Sequence, residues 1–191
     1  MKVVAFLGSP RIGGNSELLL REAMRAVEEE GHEIILFRPN EMDISPCTNC
    51  SGCDKTGECV IRDDMDQVYA SIREGDRFIL ASPIFFFGLS AQIKALIDRA
   101  QALWCEKYLL RKPIPEGPYG RKGLLLLVGG MKKEIGCTCG DATATAFFRT
   151  ISVSEHETLC YQQVDAKGAI TKHPTALQEA YAAGKKLVGG G

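Results

Sequence analysis

Apolar and polar positions fall into short blocks whose period alternates between strand-like and helix-like. Lys2 to Leu7 is a β-branched and apolar run closed by Gly8-Ser9-Pro10, the pattern of a strand buried on both faces. Asn15 or Ser16 can then cap a helix with an apolar stripe of Leu19, Leu20, Ala23, Met24 and Val27, and Gly31 stops it. Glu33 to Phe37 predicts a second strand. From about Pro39 to Arg62 both periodicities vanish, and this polar, Cys-rich stretch reads as a functional insertion. Asp63 or Asp64 caps a helix carrying Met65, Val68, Tyr69 and Ile72, and Gly75 ends it before a third strand, Arg77 to Ser82. Helices over Leu89–Trp104, Asp141–Ser152 and Pro174–Val188 then alternate with strands over Gly123–Val128 and Thr158–Val164.

Five strands separated by helical crossovers demand a parallel sheet, because each crossover is right-handed and both sheet faces must be covered. The expected fold is α/β: a flavodoxin-like three-layer sandwich with a five-stranded parallel sheet in the order 2-1-3-4-5 and helices on both faces. At 191 residues the chain suits a single domain over 1–191, with the Cys-rich insertion at about 39–62.

Composition adds little to this picture until the cysteines are counted. Apolar residues at 45% and charged residues at 25% are ordinary for a globular chain. Lys plus Arg at 23 against Asp plus Glu at 24 leaves a net charge of -1, so neither nucleic acid nor an anionic membrane is an expected partner. The run VVAFL after Lys2 is shorter than the roughly 7 to 15 residues of a secretory core. The longest apolar run, Leu124 to Val128, falls far short of the ~18 residues of a membrane span. A cytoplasmic, reducing location is therefore expected. There, eight cysteines with four crowded between Cys47 and Cys59 read as a metal or redox centre rather than a disulfide framework.

Gly8-Ser9-Pro10-Arg11-Ile12-Gly13-Gly14-Asn15-Ser16 joins the first strand to the first helix, where unpaired N–H groups and the helix dipole favour an anion. Glycines at 8, 13 and 14 permit close approach, Ser9, Asn15 and Ser16 can donate to phosphate oxygens, and Arg11 supplies charge. The spacing is neither GxGxxG nor GxxxxGK[ST], which argues against a dinucleotide fingerprint and a P-loop. The plain alternative is a Gly-rich turn with Arg11 solvated.

Ser82-Pro83-Ile84-Phe85-Phe86-Phe87-Gly88 leaves the sheet at the same carboxyl edge, beside the switch point where such sheets bind ligands. Together with Ala91-Gln92-Ile93-Lys94-Ala95-Leu96-Ile97-Asp98-Arg99 and the first loop, this segment resembles the NADPH-dependent FMN reductase superfamily of flavodoxin-like proteins. The resemblance implies that Ser9, Arg11, Asn15 and Ser16 bind the FMN phosphate. It also implies that Pro83, Ile84, Phe85, Phe86 and Gly88 border the isoalloxazine and ribityl chain. Phe85 stands where Tyr is common in that family, so a contact through a phenol hydroxyl is lost. Gly129 and Gly130, at the end of the fourth strand, are candidates for a third flavin-facing turn. Lys94, Asp98 and Arg99 read as helix-surface and interface residues.

Cys47, Cys50, Cys53 and Cys59 read CxxCxxCx5C, in which three closely spaced thiolates wrap three corners of a cubane and a fourth closes it. The alternative is zinc, although sites with four cysteine ligands usually pair two CxxC hooks across a longer spacer. With the flavin motifs, nearly the whole chain resembles the iron-sulfur flavoproteins of anaerobic prokaryotes. That resemblance implies a [4Fe-4S] cluster after the second strand and a homodimer or homotetramer. The expected function is a flavin-dependent oxidoreductase with FMN and a [4Fe-4S] cluster, moving electrons between a ferredoxin-like or NAD(P)H donor and a small acceptor. Two alternatives stay open: an NAD(P)H-dependent FMN or quinone reductase with a structural zinc, and a flavodoxin-like binding module without redox turnover. Cys137 and Cys139 are expected in a loop after the fourth strand, Cys160 as core packing, and Cys105 at a helix end without a partner nearby in sequence. None of the three histidines falls in an acid-base or metal constellation.

Overall fold

In the computed structural model, which describes residues 1–189, the first two strands take the bounds their patterns predict. The single-domain expectation over 1–191 extends to Gly190 and Gly191, which lie outside the described residues. β1 (Lys2–Leu7) is followed by α1 (Asn15–Glu29) and β2 (Glu33–Phe37). After the insertion come α2 (Met65–Glu74), β3 (Arg77–Phe85) and β4 (Gly88–Leu89). α3 (Ala91–Arg99), α4 (Gln101–Trp104) and a π-helical turn at Cys105–Leu109 lead to β5 (Lys122–Val128). α5 (Ile135–Thr150), β6 (Glu155–Tyr161) and α6 (Ala176–Val188) complete the chain.

The sheet order is β2-β1-β3-β5-β6, all parallel, which is the expected flavodoxin-like order. Side chains alternate across it: Val4 and Phe6 pack with α2, α3 and α5, while Val3, Ala5 and Leu7 pack with α1 and α6. Each fully buried Val, Leu, Ile or Phe in these two layers contributes about 1.5–3 kcal/mol. α1 and α6 cross so closely that a Cβ on Gly184 would lie 2.3 Å from the Ala23 carbonyl oxygen. No helix among the described residues is long and apolar enough to cross a membrane.

The structure corrects several expected elements. A sixth strand, β4, pairs antiparallel with the end of β3, matching Ile84 to Leu89 and Phe85 to Gly88. β3 runs past Ser82 to Phe85, and Phe86 and Phe87 turn the chain at φ 48° and 65°, both positive as a two-residue hairpin requires. α5 starts at Ile135 rather than Asp141, so Cys137 and Cys139 lie on a helix and not in a loop. β6 begins at Glu155 because an edge strand with a single neighbour tolerates the polar run Glu155-His156-Glu157-Thr158. The continuous helix expected over Leu89–Trp104 breaks at Ala100. The cap of α1 is Gly14, with Asn15 and Ser16 already inside the helix.

Candidate functional site

The loop after β1 is held in shape by its own polar groups. Ser9 Oγ accepts from the Arg11 N–H at 3.2 Å, and the Gly14 N–H donates to the Arg11 carbonyl at 3.0 Å. Glu17, buried in the first turn of α1, accepts the Gly13 N–H at 2.6 Å and pairs with Arg38 and Arg21, each at 2.8 Å. Burial opposes ionisation of Glu17, but these partners outweigh it and hold the carboxyl below its usual range. The helix has no side-chain cap, and among the described residues the N–H groups of Asn15, Ser16 and Glu17 have no partner. An anion completes such a terminus. The side-chain amide of Asn15 is occupied elsewhere: it donates to the Ala166 carbonyl at 3.0 Å and accepts from the Ile170 N–H at 3.2 Å, clipping the loop after β6. Lys167 on that loop lies against Gly13, 3.5 Å from the position of an added Cβ.

Nine of the eleven candidate flavin contacts line one open cleft: Ser9, Arg11, Asn15, Ser16, Pro83, Ile84, Phe85, Gly129 and Gly130. Gly88 and Phe86 are outside it. Phe86 is fully exposed at the hairpin tip, and Gly88 pairs with Phe85 behind the wall. A Cβ on Gly129 would meet Ile84 Cβ at 3.2 Å, a contact tighter than side chains ordinarily make. Ser16, 2% exposed, makes no side-chain hydrogen bond among the described residues and stands at the uncapped terminus. A phosphate end, an apolar wall and a glycine floor in one cleft suit FMN. Gly14, Val128, Val164 and Asp165 also line the cleft; Asp165, Lys167 and Arg38 were not legible as part of the site because long-range packing brings each there, and Glu17, adjacent to Ser16, gave no sign of its pairing with Arg38.

The insertion gathers Cys47, Cys50, Cys53 and Cys59 around a second pocket. Asn49 and Ser51 adopt φ 54° and 58°, and the Asn49 N–H donates to Cys47 Sγ at 3.4 Å. Gly52 allows Val60 to close over the turn, since a Cβ would meet Val60 Cγ1 at 2.5 Å. Arg99, read from sequence as a surface residue, is 1% exposed and anchors the insertion instead. It donates to both Asp63 oxygens at 2.6 and 3.1 Å, to the Ser45 carbonyl at 2.8 Å and to the Ile61 carbonyl at 3.1 Å. Burial raises the Asp63 pKa, but Arg99 and the N–H groups of Ser45 and Met65 bring it below the usual carboxylate range. Arg99 also lines the cysteine pocket, and its buried Nε has no partner among the described residues. A cation with a free donor beside four thiols suits an anionic metal-thiolate group. Among the described residues, no three of these four sulfurs lie within 4.8 Å of one another.

The remaining cysteines depart from expectation. Cys137 and Cys160 form a disulfide joining the first turn of α5 to β6, so Cys160 is not mere core packing. Cys105 has a close neighbour after all, Cys53 Sγ at 3.6 Å, and burial pushes its thiol up to about 12. His156 bonds Asp141 at 3.0 Å and lines neither pocket.

The family model described as NADPH-dependent FMN reductase matches residues 1–157, from β1 into β6. The chain belongs to the NADPH-dependent FMN reductase family. It is 44% identical to an iron-sulfur flavoprotein of Methanocaldococcus jannaschii over 103 residues, covering 54% of this chain and 53% of that one. It is 35% identical to the iron-sulfur flavoprotein of Methanosarcina thermophila over 133 residues, 69% of this chain and 65% of that one. The chain thus spans about half to two thirds of the curated relatives it matches. In fold, this FMN reductase family member superposes on an NAD(P)H:quinone oxidoreductase from Methanothermobacter marburgensis with a TM-score of 0.71 at 13% identity, covering 100% of this chain and 96% of that one. An FMN-dependent NADH-azoreductase from Bacillus anthracis, solved with FMN, gives 0.70 at 10% identity over 97% and 98%.

Proposed function

We propose that this chain is a cytoplasmic flavin-dependent oxidoreductase that holds FMN in the pocket between β1, β3 and β5 and a [4Fe-4S] cluster on Cys47, Cys50, Cys53 and Cys59. It passes electrons between a ferredoxin-like or NAD(P)H donor and a small acceptor. The observation that carries this reading is the convergence of all four insertion thiols on one pocket walled by a buried arginine, beside a separate cleft built at the uncapped α1 terminus. The relatives named iron-sulfur flavoprotein support it. When bound, FMN supplies two-electron hydride chemistry and single-electron steps, and the cluster supplies one-electron transfer.

The chain's own residues bind and orient. Ser9, Arg11 and Ser16, with the first-turn N–H groups of α1, take the phosphate, while Asn15 keeps the loop after β6 closed against it. Pro83, Ile84 and Phe85 form the apolar wall, and Gly129 and Gly130 keep the opposite side open to close approach. Gly88 and Phe86 shape the hairpin that carries this wall. Exposed Phe86, Trp104 and Tyr108 provide apolar surface for a homodimer or homotetramer.

Anaerobic purification followed by an absorption spectrum with iron, zinc and acid-labile sulfide analysis tests the reading. Flavin bands with about four irons and four sulfides per chain are expected. Flavin with one zinc and no sulfide would replace it by a plain NAD(P)H-dependent FMN or quinone reductase, and a colourless protein by a binding module.

A further inference from the structure

Cys105 belongs to no part of the proposed electron-transfer machinery, yet it is fully buried at the start of a π-helical turn, an arrangement common at functional positions. Its Sγ lies 3.6 Å from Cys53 Sγ and 3.4 Å from Asp54 Oδ1. Among the described residues, these three are the group whose ligand atoms all lie within 4.8 Å of one another. Tetrahedral zinc with sulfur at 2.3 Å and oxygen near 2.0 Å sets ligand separations of roughly 3.8 Å for S···S and roughly 3.5 Å for S···O. The Cys105–Cys53 and Cys105–Asp54 spacings match two edges of that tetrahedron, and the third separation lies within 4.8 Å. Gln101 Nε2 donates to Cys105 Sγ at 3.5 Å, the outer hydrogen bond that orients a metal-bound thiolate.

We propose that Cys53, Asp54 and Cys105 form a preorganised site for a thiophilic divalent cation of the zinc class, with water in the fourth position. Cys105 closes the site from the core, and exposed Asp54 marks the side from which the ion enters. Binding displaces the two thiol protons to solvent and involves no redox change. Because Cys53 is also one of the four insertion thiols, zinc here and a cluster on Cys53 exclude each other; this exclusion, though not the zinc site itself, rests on the cluster reading.

The test uses the full-length chain stripped of metal by a chelator under anaerobiosis, with cobalt(II) as the spectroscopic probe and zinc as competitor. In a Cys47→Ala, Cys59→Ala background the four-cysteine set is abolished but the proposed site is intact. This protein is expected to bind one cobalt with tetrahedral bands and thiolate charge transfer that zinc displaces. Adding Cys105→Ala should weaken binding at least about tenfold, as should Asp54→Asn, which changes an exposed side chain and leaves the core alone. Absence of tetrahedral cobalt in the background protein, or undiminished binding after either addition, overturns the proposal. Iron and sulfide content of the wild-type chain reports on the cluster reading separately.

Discussion

Arg99→Met removes the fastening of the whole insertion while nearly preserving side-chain volume. The guanidinium makes two hydrogen bonds to Asp63 and one each to the Ser45 and Ile61 carbonyls, with both charged side chains almost entirely out of solvent. Breaking a buried pair strands the remaining charge, a loss of about 3–5 kcal/mol. For a chain of this length, where 1 kcal/mol shifts the melting temperature by about 2–4 °C, the expected fall is about 6–20 °C. Asp63 fixes the sign of the pH dependence. Its folded pKa is depressed, so the stability it contributes is present above the ordinary carboxylate range and is lost as pH falls through the folded value. Thermal melts of wild type and Arg99→Met between neutral and acid pH should therefore converge on acidification, with Asp63→Asn completing a double-mutant cycle. The same variant should lose insertion-bound metal. A shift smaller than about 2 °C at neutral pH, below what a loss of even 1 kcal/mol implies, would refute this account of the anchor.

Cys50→Ser should remove iron while leaving FMN bound, measured by metal analysis beside the flavin spectrum; joint loss of both would mean that the insertion scaffolds the flavin pocket. Ser16→Ala removes a buried hydroxyl at the uncapped helix terminus and should weaken FMN binding about tenfold, from about 1.5 kcal/mol for a hydrogen bond to a charged group, as titrated by flavin fluorescence. Glu17→Gln leaves Arg38 without a charged partner in the first turn of α1 and should lower stability at neutral pH while flattening its acid limb. Gly184→Ala should destabilise by about 1–3 kcal/mol in denaturant titration, because the new methyl meets the Ala23 backbone.

β1 was readable because burial on both faces leaves an uninterrupted apolar run, and the half-buried edge strand β2 keeps Ile34–Phe37 apolar; both fall where their patterns end. The hairpin was not readable. Its turn residues are Phe86 and Phe87, and nothing in three consecutive phenylalanines announces positive φ, which Gly or Asn would have done. The helical stripe of α5 emerges only from Asp141 because Gly136, Cys137 and Gly140 dilute its start; packing supplies what propensity lacks, since a Cβ on Gly136 would meet Ile84 at 2.8 Å. Arg99 closes a run that looks like a solvated helix end, and its burial depends on Asp63, 36 residues earlier. Cys105 and the Cys137–Cys160 pair share that difficulty: sequence shows thiols, and only the fold shows which are neighbours.

α3 carries a feature of each pocket at its two ends. At its start, the Ser90 hydroxyl donates to the Gly8 carbonyl at 2.5 Å, fastening the helix to the flavin-side loop; at its end stands Arg99. The nine residues of α3 form a rod of about 13.5 Å. The separation of the two pockets is thereby a matter of helical arithmetic and not of loop conformation. One residue inserted into α3 would swing Arg99 by about 100° away from Asp63. The length of this short helix is fixed by both pockets at once.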